Sequence, residues 1–228
     1  MERVPKQILC NPSSGSTSAI VLFGGSSCGK SSTLQHLIVL LCGGGTLKKS
    51  VQAAFERAFY YSKHDCYKDV DVVVYYHTEK GEIPIYISTD GDTWPIVEDN
   101  FRFFYHCIRT RHKVYEYKGG QFIQHDYDSL KSLKRPEICI TAANFIQFGG
   151  TQAAHYYLDL TCEDWKYNIW IRKYPCSNPG QPIPGYVKPR KKRIKEEDDK
   201  QAKRLLCIID KMIKNNICIN RIANNNLL

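Results

Sequence analysis

The chain has 228 residues, a hydrophobic fraction of 43% and a formal net charge of +9, which suits one α/β domain with an appendage, or two small domains, and excludes wholesale disorder. No apolar run approaches the roughly 20 residues needed to span a bilayer, and the polar lead-in before residue 18 has no signal-peptide pattern, so a cytoplasmic protein is expected. Its ten cysteines include no C-x-x-C pair, which argues against a thiolate zinc site and, without a secretory signal, against a disulfide framework.

Ala19 to Phe23 form an apolar run that reads as a buried strand, and Thr33 to Leu41 read as a helix with Leu34, Leu37, Ile38 and Leu41 on one face. Between them stands Gly24-Gly-Ser-Ser-Cys-Gly-Lys-Ser-Ser32. Gly24, Gly29, Lys30 and Ser31 fit the spacing G-x-x-x-x-G-K-[ST]. Glycines at these positions let successive N–H groups turn into one hollow, and the start of the next helix adds partial positive charge there. A phosphate fits such a hollow. The expected phosphate-binding residues are Gly24, Gly25, Ser26, Ser27, Cys28, Gly29, Lys30, Ser31 and Ser32. Lys30 would reach the β- and γ-phosphates of a nucleotide, and the Ser31 hydroxyl would ligate magnesium. Cys28 is either a plain loop side chain or a thiol whose pKa is lowered by Lys30 and the helix start.

Gly43-Gly-Gly45 ends the first helix, and a second is predicted over Thr46–Ser62 with Val51, Phe55 and Phe59 one turn apart. Strands at Asp69–His77 and Ile83–Thr89 flank a connection short enough for an antiparallel hairpin, which is expected at a sheet edge. The second strand delivers Asp90-Gly-Asp92 at its carboxyl end. Asp90, the better placed, or Asp92 would hold magnesium or position a water. Asp92 or Thr93 serves equally as cap of a helix over Pro95–Ile108. Arg109 and Arg111 at its end either answer the helix dipole or swing onto a phosphate. Val114–Ser132 reads as a loop or small hairpin around Gly119-Gly120.

Glu137–Ala143 is expected to be a central strand parallel to the first, carrying Asn144 to the carboxyl edge where ligands bind in open α/β sheets. Gly149-Gly-Thr151 then faces the same edge or simply opens a helix over Gln152–Asp164, in which His155 is a packing or surface residue. A last strand is predicted at Asn168–Tyr174. Pro175, Pro179, Pro182, Pro184 and Pro189 mark a linker. Lys188, Arg190, Lys191, Lys192, Arg193 and Lys195 follow without an intervening acid and carry six of the nine net positive charges, so the remainder of the chain has an unremarkable balance. Residues 188–195 are read as a solvated linker, a nucleic-acid contact or an anionic-membrane contact. An amphipathic helix over Glu196–Ile217, with Leu205, Ile209, Met212, Ile213 and Ile217 on one side, either folds back or forms a protein or self-association seam.

Through residues 18–164 the chain resembles a small phosphate-loop NTPase of the nucleoside triphosphate hydrolase and kinase superfamily, on Gly24, Gly29, Lys30 and Ser31. The order of phosphate loop, hairpin, Ser-Thr-Asp-Gly-Asp92, helix, strand and Gly-Gly-Thr151 is similar to small bacterial members without an assigned activity. The resemblance implies ATP or GTP with Mg2+. The expected fold is α/β, a three-layer, mostly parallel phosphate-loop sheet with an antiparallel hairpin, followed by a C-terminal helix after the Pro-rich linker. The expected division is a nucleotide-binding domain at 1–174, a linker at 175–194 and a helix with tail at 195–228. The expected function is Mg-dependent ATP hydrolysis coupled to a partner or switch, with Lys30 and Asp90 or Asp92 catalytic. The alternatives are a small-molecule or nucleotide kinase, for which Arg109, Arg111, Lys134 and Arg135 would bind the second anion, and a nucleotide-sensing or nucleic-acid-associated adaptor.

Overall fold

The computed structural model describes residues 17–24, 29–61, 66–79, 81–91, 113–126, 129, 132–134, 136–144, 165–172 and 191–214. Apolar runs supply the strands. They are β1 (Thr17–Gly24), β4 (Asp71–Thr78), β5 (Gly81–Ser88), β6 (Val114–Lys118), β7 (Gln121–His125), β8 (Ile138–Asn144) and β9 (Trp165–Arg172). Among the described residues these make one mixed, seven-stranded sheet in the order β7-β6-β4-β5-β8-β1-β9. β1 lies between β8 and β9 and is parallel to both, and β5 is parallel to β8. The β4–β5 hairpin is antiparallel, as its short connection requires. It is not at the edge, because β6 joins the outer side of β4 in parallel, pairing Asp71 with Val114.

The stretch from Val114, read as a loop or small hairpin, is a hairpin that extends the sheet. Gly119 and Gly120 have φ of 58° and 79°, the left-handed pair that a two-residue hairpin turn needs and that glycine supplies without strain. The helices predicted over 95–108 and 152–164 lie outside the described residues, as do most of the Pro-rich linker and the tail from residue 215. Residues on both faces of the central strands are buried: Ile20 and Leu22 on one face of β1, Ala19 and Val21 on the other.

Three helices are described: α1 (Lys30–Cys42), α2 (Lys49–Phe59) and α3 (Lys191–Ile213). The second is shorter than its periodicity suggested. Tyr60 and Tyr61 leave the helix to pair, as β2 (Tyr60–Tyr61), with β3 (Cys66–Tyr67), a geometry that aromatic residues favour. Phe55 and Phe59 hold α2 to the β6–β7 hairpin by edge-to-face contacts, Phe55 with Phe122 at 5.6 Å and Phe59 with Tyr115 at 4.8 Å.

The C-terminal helix begins at Lys191, inside the basic run, and not at Glu196. It folds back on the core. Ala202, Leu205, Leu206, Ile208, Ile209 and Met212 join α1 and the sheet in one buried cluster. The apolar stripe that needed a cover is thus covered within the chain. Cys139 is buried in β8 as expected for a small apolar residue, whereas Cys207 is exposed on α3.

Two outcomes check this packing. Ile209→Ala should lower stability by about 2–4 kcal/mol, read as a shift in the midpoint of the main denaturant transition. A helix standing apart from the core would leave that transition where it was. Iodoacetamide at pH 8 should label Cys207 in the native protein ahead of Cys42, whose thiol burial pushes well above its ordinary pKa and so keeps protonated. Equal labelling of the two in mapped peptides would contradict the packing around the end of α1.

Candidate functional site

β1 ends at Gly24, whose Cα pairs with that of Asn144 at the end of β8. The carboxyl ends of the two central strands therefore lie side by side. Gly25, Ser26, Ser27 and Cys28 lie outside the described residues. The chain resumes at Gly29, the N-cap of α1, with φ 87° and ψ 22°. Its carbonyl accepts from the Thr33 N–H at 3.0 Å, closing the first helical turn. A left-handed residue at this position explains why glycine stands there. Lys30 is the first helical residue and is 6% exposed, while Ser31 and Ser32 are partly buried.

The Ser31 hydroxyl donates to the main-chain carbonyl of Thr89 at 2.9 Å. That bond joins the start of α1 to the end of β5, one residue before Asp90. Thr89 is itself fixed. Its N–H donates to Val70 O at 2.9 Å, and its hydroxyl accepts from the Val70 N–H at 2.8 Å and donates to Asp69 Oδ1 at 3.1 Å. Asp90 is partly buried, and its carbonyl accepts from the Ser88 hydroxyl at 3.1 Å. A Cβ at Gly91 would stand 1.8 Å from the carbonyl oxygen of Ala142. The chain leaving β5 therefore lies directly on the backbone of β8, the strand between β5 and β1. Only glycine permits that approach. Asp90 accordingly leaves its strand on the side of β1. Asp92 lies outside the described residues.

Two buried polar groups at this end have no counterpart in the sequence reading. On one sheet face Asp71, 2% exposed, accepts from the Tyr86 hydroxyl at 3.0 Å, and its backbone neighbour across the hairpin is Ser88, itself paired with Thr141. On the other, Thr33 of α1 meets Asp198 and Gln201 of α3, at 3.2 Å from Oδ1 and Oε1 respectively. One hydroxyl carries one proton. The consistent assignment has Thr33 donating to Asp198 and the Gln201 amide turned so that its nitrogen donates to Thr33. The available signal was spacing: Asp198, Gln201, Leu205, Ile209 and Met212 recur every three or four residues and share a stripe.

Arg109, Arg111, Arg135, Gly149–Thr151 and His155 lie outside the described residues. Lys134 is described, and it is not beside Gly24. It stands 3.9 Å from Glu82 at the opposite end of β5 and over the Tyr75 ring at 5.9 Å, lining a polar cavity of about 500 Å³. Of the four cations expected to bind a second anion, Lys134 thus stands at the end of β5 away from Gly24. Among the described residues no group of three or more His, Cys, Asp and Glu gathers to hold a metal. Ser31 and Asp90 instead bring a hydroxyl and a carboxylate to neighbouring backbone, the hard oxygen donors suited to Mg2+, which takes one or two protein oxygens and completes its shell with phosphate and water.

No protein-family model matches the chain, and neither the curated proteins nor the solved structures contain a significant match to it.

The two glycines separate local strain from close approach. Gly29→Ala should cost about 1–2 kcal/mol from the left-handed backbone, and Gly29→Asn less, because asparagine tolerates that region. Gly91→Ala should be the more damaging, since its Cβ would meet backbone and not a movable side chain. Thermal melting should place Gly29→Asn highest, Gly29→Ala below it and Gly91→Ala lowest.

Proposed function

We propose that the chain is a phosphate-loop protein that binds ATP with Mg2+ and hydrolyses it, the hydrolysis serving a partner or a conformational switch. The observation carrying this reading is the Ser31–Thr89 hydrogen bond, which brings the G-K-S segment and the Asp90 strand end together. The left-handed Gly29 and the largely buried Lys30 at the head of α1 support it. So does the adjacency of Gly24 and Asn144 at the carboxyl edge of parallel strands, the edge at which such sheets take ligands.

In this reading the N–H groups of residues 24–31 hold the phosphates and Lys30 neutralises the charge that develops on the transferred group. Ser31 and Asp90 would hold a magnesium ion, which would supply neutralisation of phosphate charge. Thr89 acts through its carbonyl, keeping the Ser31 side chain in one orientation. Phosphoryl chemistry asks little more of a protein than positioning and charge, so the same parts would serve transfer to an acceptor. Residues 24–32 therefore define what is held, and the nature of the acceptor decides between water and a metabolite.

Purified protein with ATP and Mg2+, alone and with DNA, RNA or a nucleoside panel, should release phosphate. Lys30→Ala should bind ATP at least about ten-fold more weakly, the loss of a charge-assisted contact. ADP formed only with an acceptor and without free phosphate would replace hydrolysis by kinase activity. Tight binding with no turnover would favour a nucleotide-sensing adaptor. Unchanged ATP binding by Lys30→Ala would overturn the reading altogether.

A further inference from the structure

A cavity opens at the end of the sheet away from Gly24. β4 and β6 are paired only from Asp71–Val114 to Val73–Glu116. Past that point β4 runs on to Thr78, while β6 runs on to Lys118 still paired with β7. The two strands fork, and a cavity of about 500 Å³ lies in the fork, a size that small organic ligands occupy. It reaches both faces of the sheet. Leu41, Cys42 and Tyr117 line it on the face that carries α1, and Tyr75, Glu82 and Glu116 line it on the other.

The charges of this cavity are sorted by depth. The Glu116 side chain is 12% exposed, against 44% for Glu82, 66% for Lys134 and 75% for His77. Glu116 Oε2 meets His125 Nε2 at 3.1 Å, and His125 Nδ1 is buried with no partner among the described residues. A protonated ring would leave a buried N–H at Nδ1 without an acceptor. The neutral ring, donating from Nε2, leaves only a lone pair and is the consistent assignment. Tyr75 supplies a second neutral donor to Glu116, its phenol pKa raised by burial. Among the described residues no lysine or arginine pairs with Glu116. A buried carboxylate without a counter-cation is costly, and it still has acceptor sites to offer.

The aromatic wall beside it already carries an ammonium. Lys134 Nζ stands over the Tyr75 ring at 5.9 Å, held loosely by Glu82 at 3.9 Å. At the rim the sign of the charge reverses. Glu116 and Lys118 alternate onto one face of β6, about 7 Å apart along the strand. Lys118 is exposed and makes no ion pair among the described residues. A carboxylate inside and an ammonium outside match a ligand that carries both charges in the opposite order.

We propose that the fork between β4 and β6 binds a small zwitterion of the free amino acid class, its ammonium on Glu116 and the Tyr75 ring and its carboxylate on Lys118. Leu41 and Tyr117 then offer apolar surface to a large side chain. The proposal does not rest on the phosphate-loop reading, because the cavity and Gly24 stand at opposite ends of the sheet.

Equilibrium titration of the full chain with free L-amino acids tests this. Phenylalanine and leucine should bind saturably, and glycine about ten-fold more weakly or worse. N-acetylphenylalanine, which has no ammonium, should not bind. Phenylalanine amide, which has no carboxylate, should bind about ten-fold more weakly than phenylalanine. Glu116→Gln keeps the shape of the side chain without its charge and should weaken phenylalanine by about ten-fold or more. Lys118→Ala, a change at an exposed side chain, should weaken phenylalanine and leave phenylalanine amide as in the wild type. If Glu116→Gln also lowers the thermal midpoint of the free protein, Lys118→Ala and the two derivatives decide the matter. Absence of binding by every amino acid, or equal binding of N-acetylphenylalanine, would overturn the proposal. Tight binding of spermidine that ignores Lys118→Ala would assign the cavity to a plain cation and overturn it equally.

Discussion

The bond from the Ser31 hydroxyl to the Thr89 carbonyl is the constraint through which the rest of the site is organised. It works because both of its ends are held. Thr89 is tied by three hydrogen bonds to the residues entering β4, and Ser31 sits in the first turn of a helix buried nearly all round. Leu34, Leu37, Ile38, Val39, Leu40 and Leu41 are all buried. A helix apolar on every side cannot lie on a sheet surface with one face in water. It needs the sheet beneath it, α2 beside it and α3 against it. Docking of α3 is therefore a requirement set by the composition of α1, and the position of Ser31 follows from the same packing.

The parts of this arrangement legible in the sequence are those encoded within a few residues. An apolar run, glycine spacing and an i, i+3, i+4 pattern are local, and they place β1, Gly29, Lys30, Ser31 and α1 where the structure has them. The β4–β5 pairing was legible because a short connection leaves no other geometry. The position of that hairpin in the sheet was not, since nothing local to it says that β6 will pair on its outer side. The stripe on α3 was readable, but a stripe states that something must cover it and not what. Asp71 with Tyr86, and Thr33 with Asp198, escaped for a related reason. A buried hydrogen-bonded pair is defined by proximity across the fold, and these partners are 15 and 165 residues apart in the chain.

The buried polar groups also bear on why the site end differs from the body of the sheet. Asp71 and Asp198 are carboxylates almost removed from water, one on each face of the sheet, and both lie toward the end where β1 and β5 finish. A buried charge or amide costs stability unless its hydrogen bonds are made. Well-packed apolar residues at these positions would carry no such requirement. What the polar groups add is directionality: Thr33 meets Asp198 and Gln201 by hydrogen bonds of defined geometry, whereas the apolar contacts of Leu205 and Ile209 are non-directional. Apolar burial therefore supplies the energy of the α1–α3 seam, and the polar cluster at its head supplies the register.

That division of labour explains the placement of the two glycines that matter most. Gly29 gives up backbone entropy to take a left-handed conformation, and Gly91 does so to let the chain lie on β8. Each costs stability near the head of α1, which the Ser31–Thr89 bond and the contacts of Thr33 with Asp198 and Gln201 hold in place. The apolar seam below, from Leu34 to Leu41 against Leu205, Ile209 and Met212, offsets that cost because the helix is one rigid element. A glycine-dependent head on a deeply buried helix is stable only while the rest of the helix is held, and α3 packs against it along that seam.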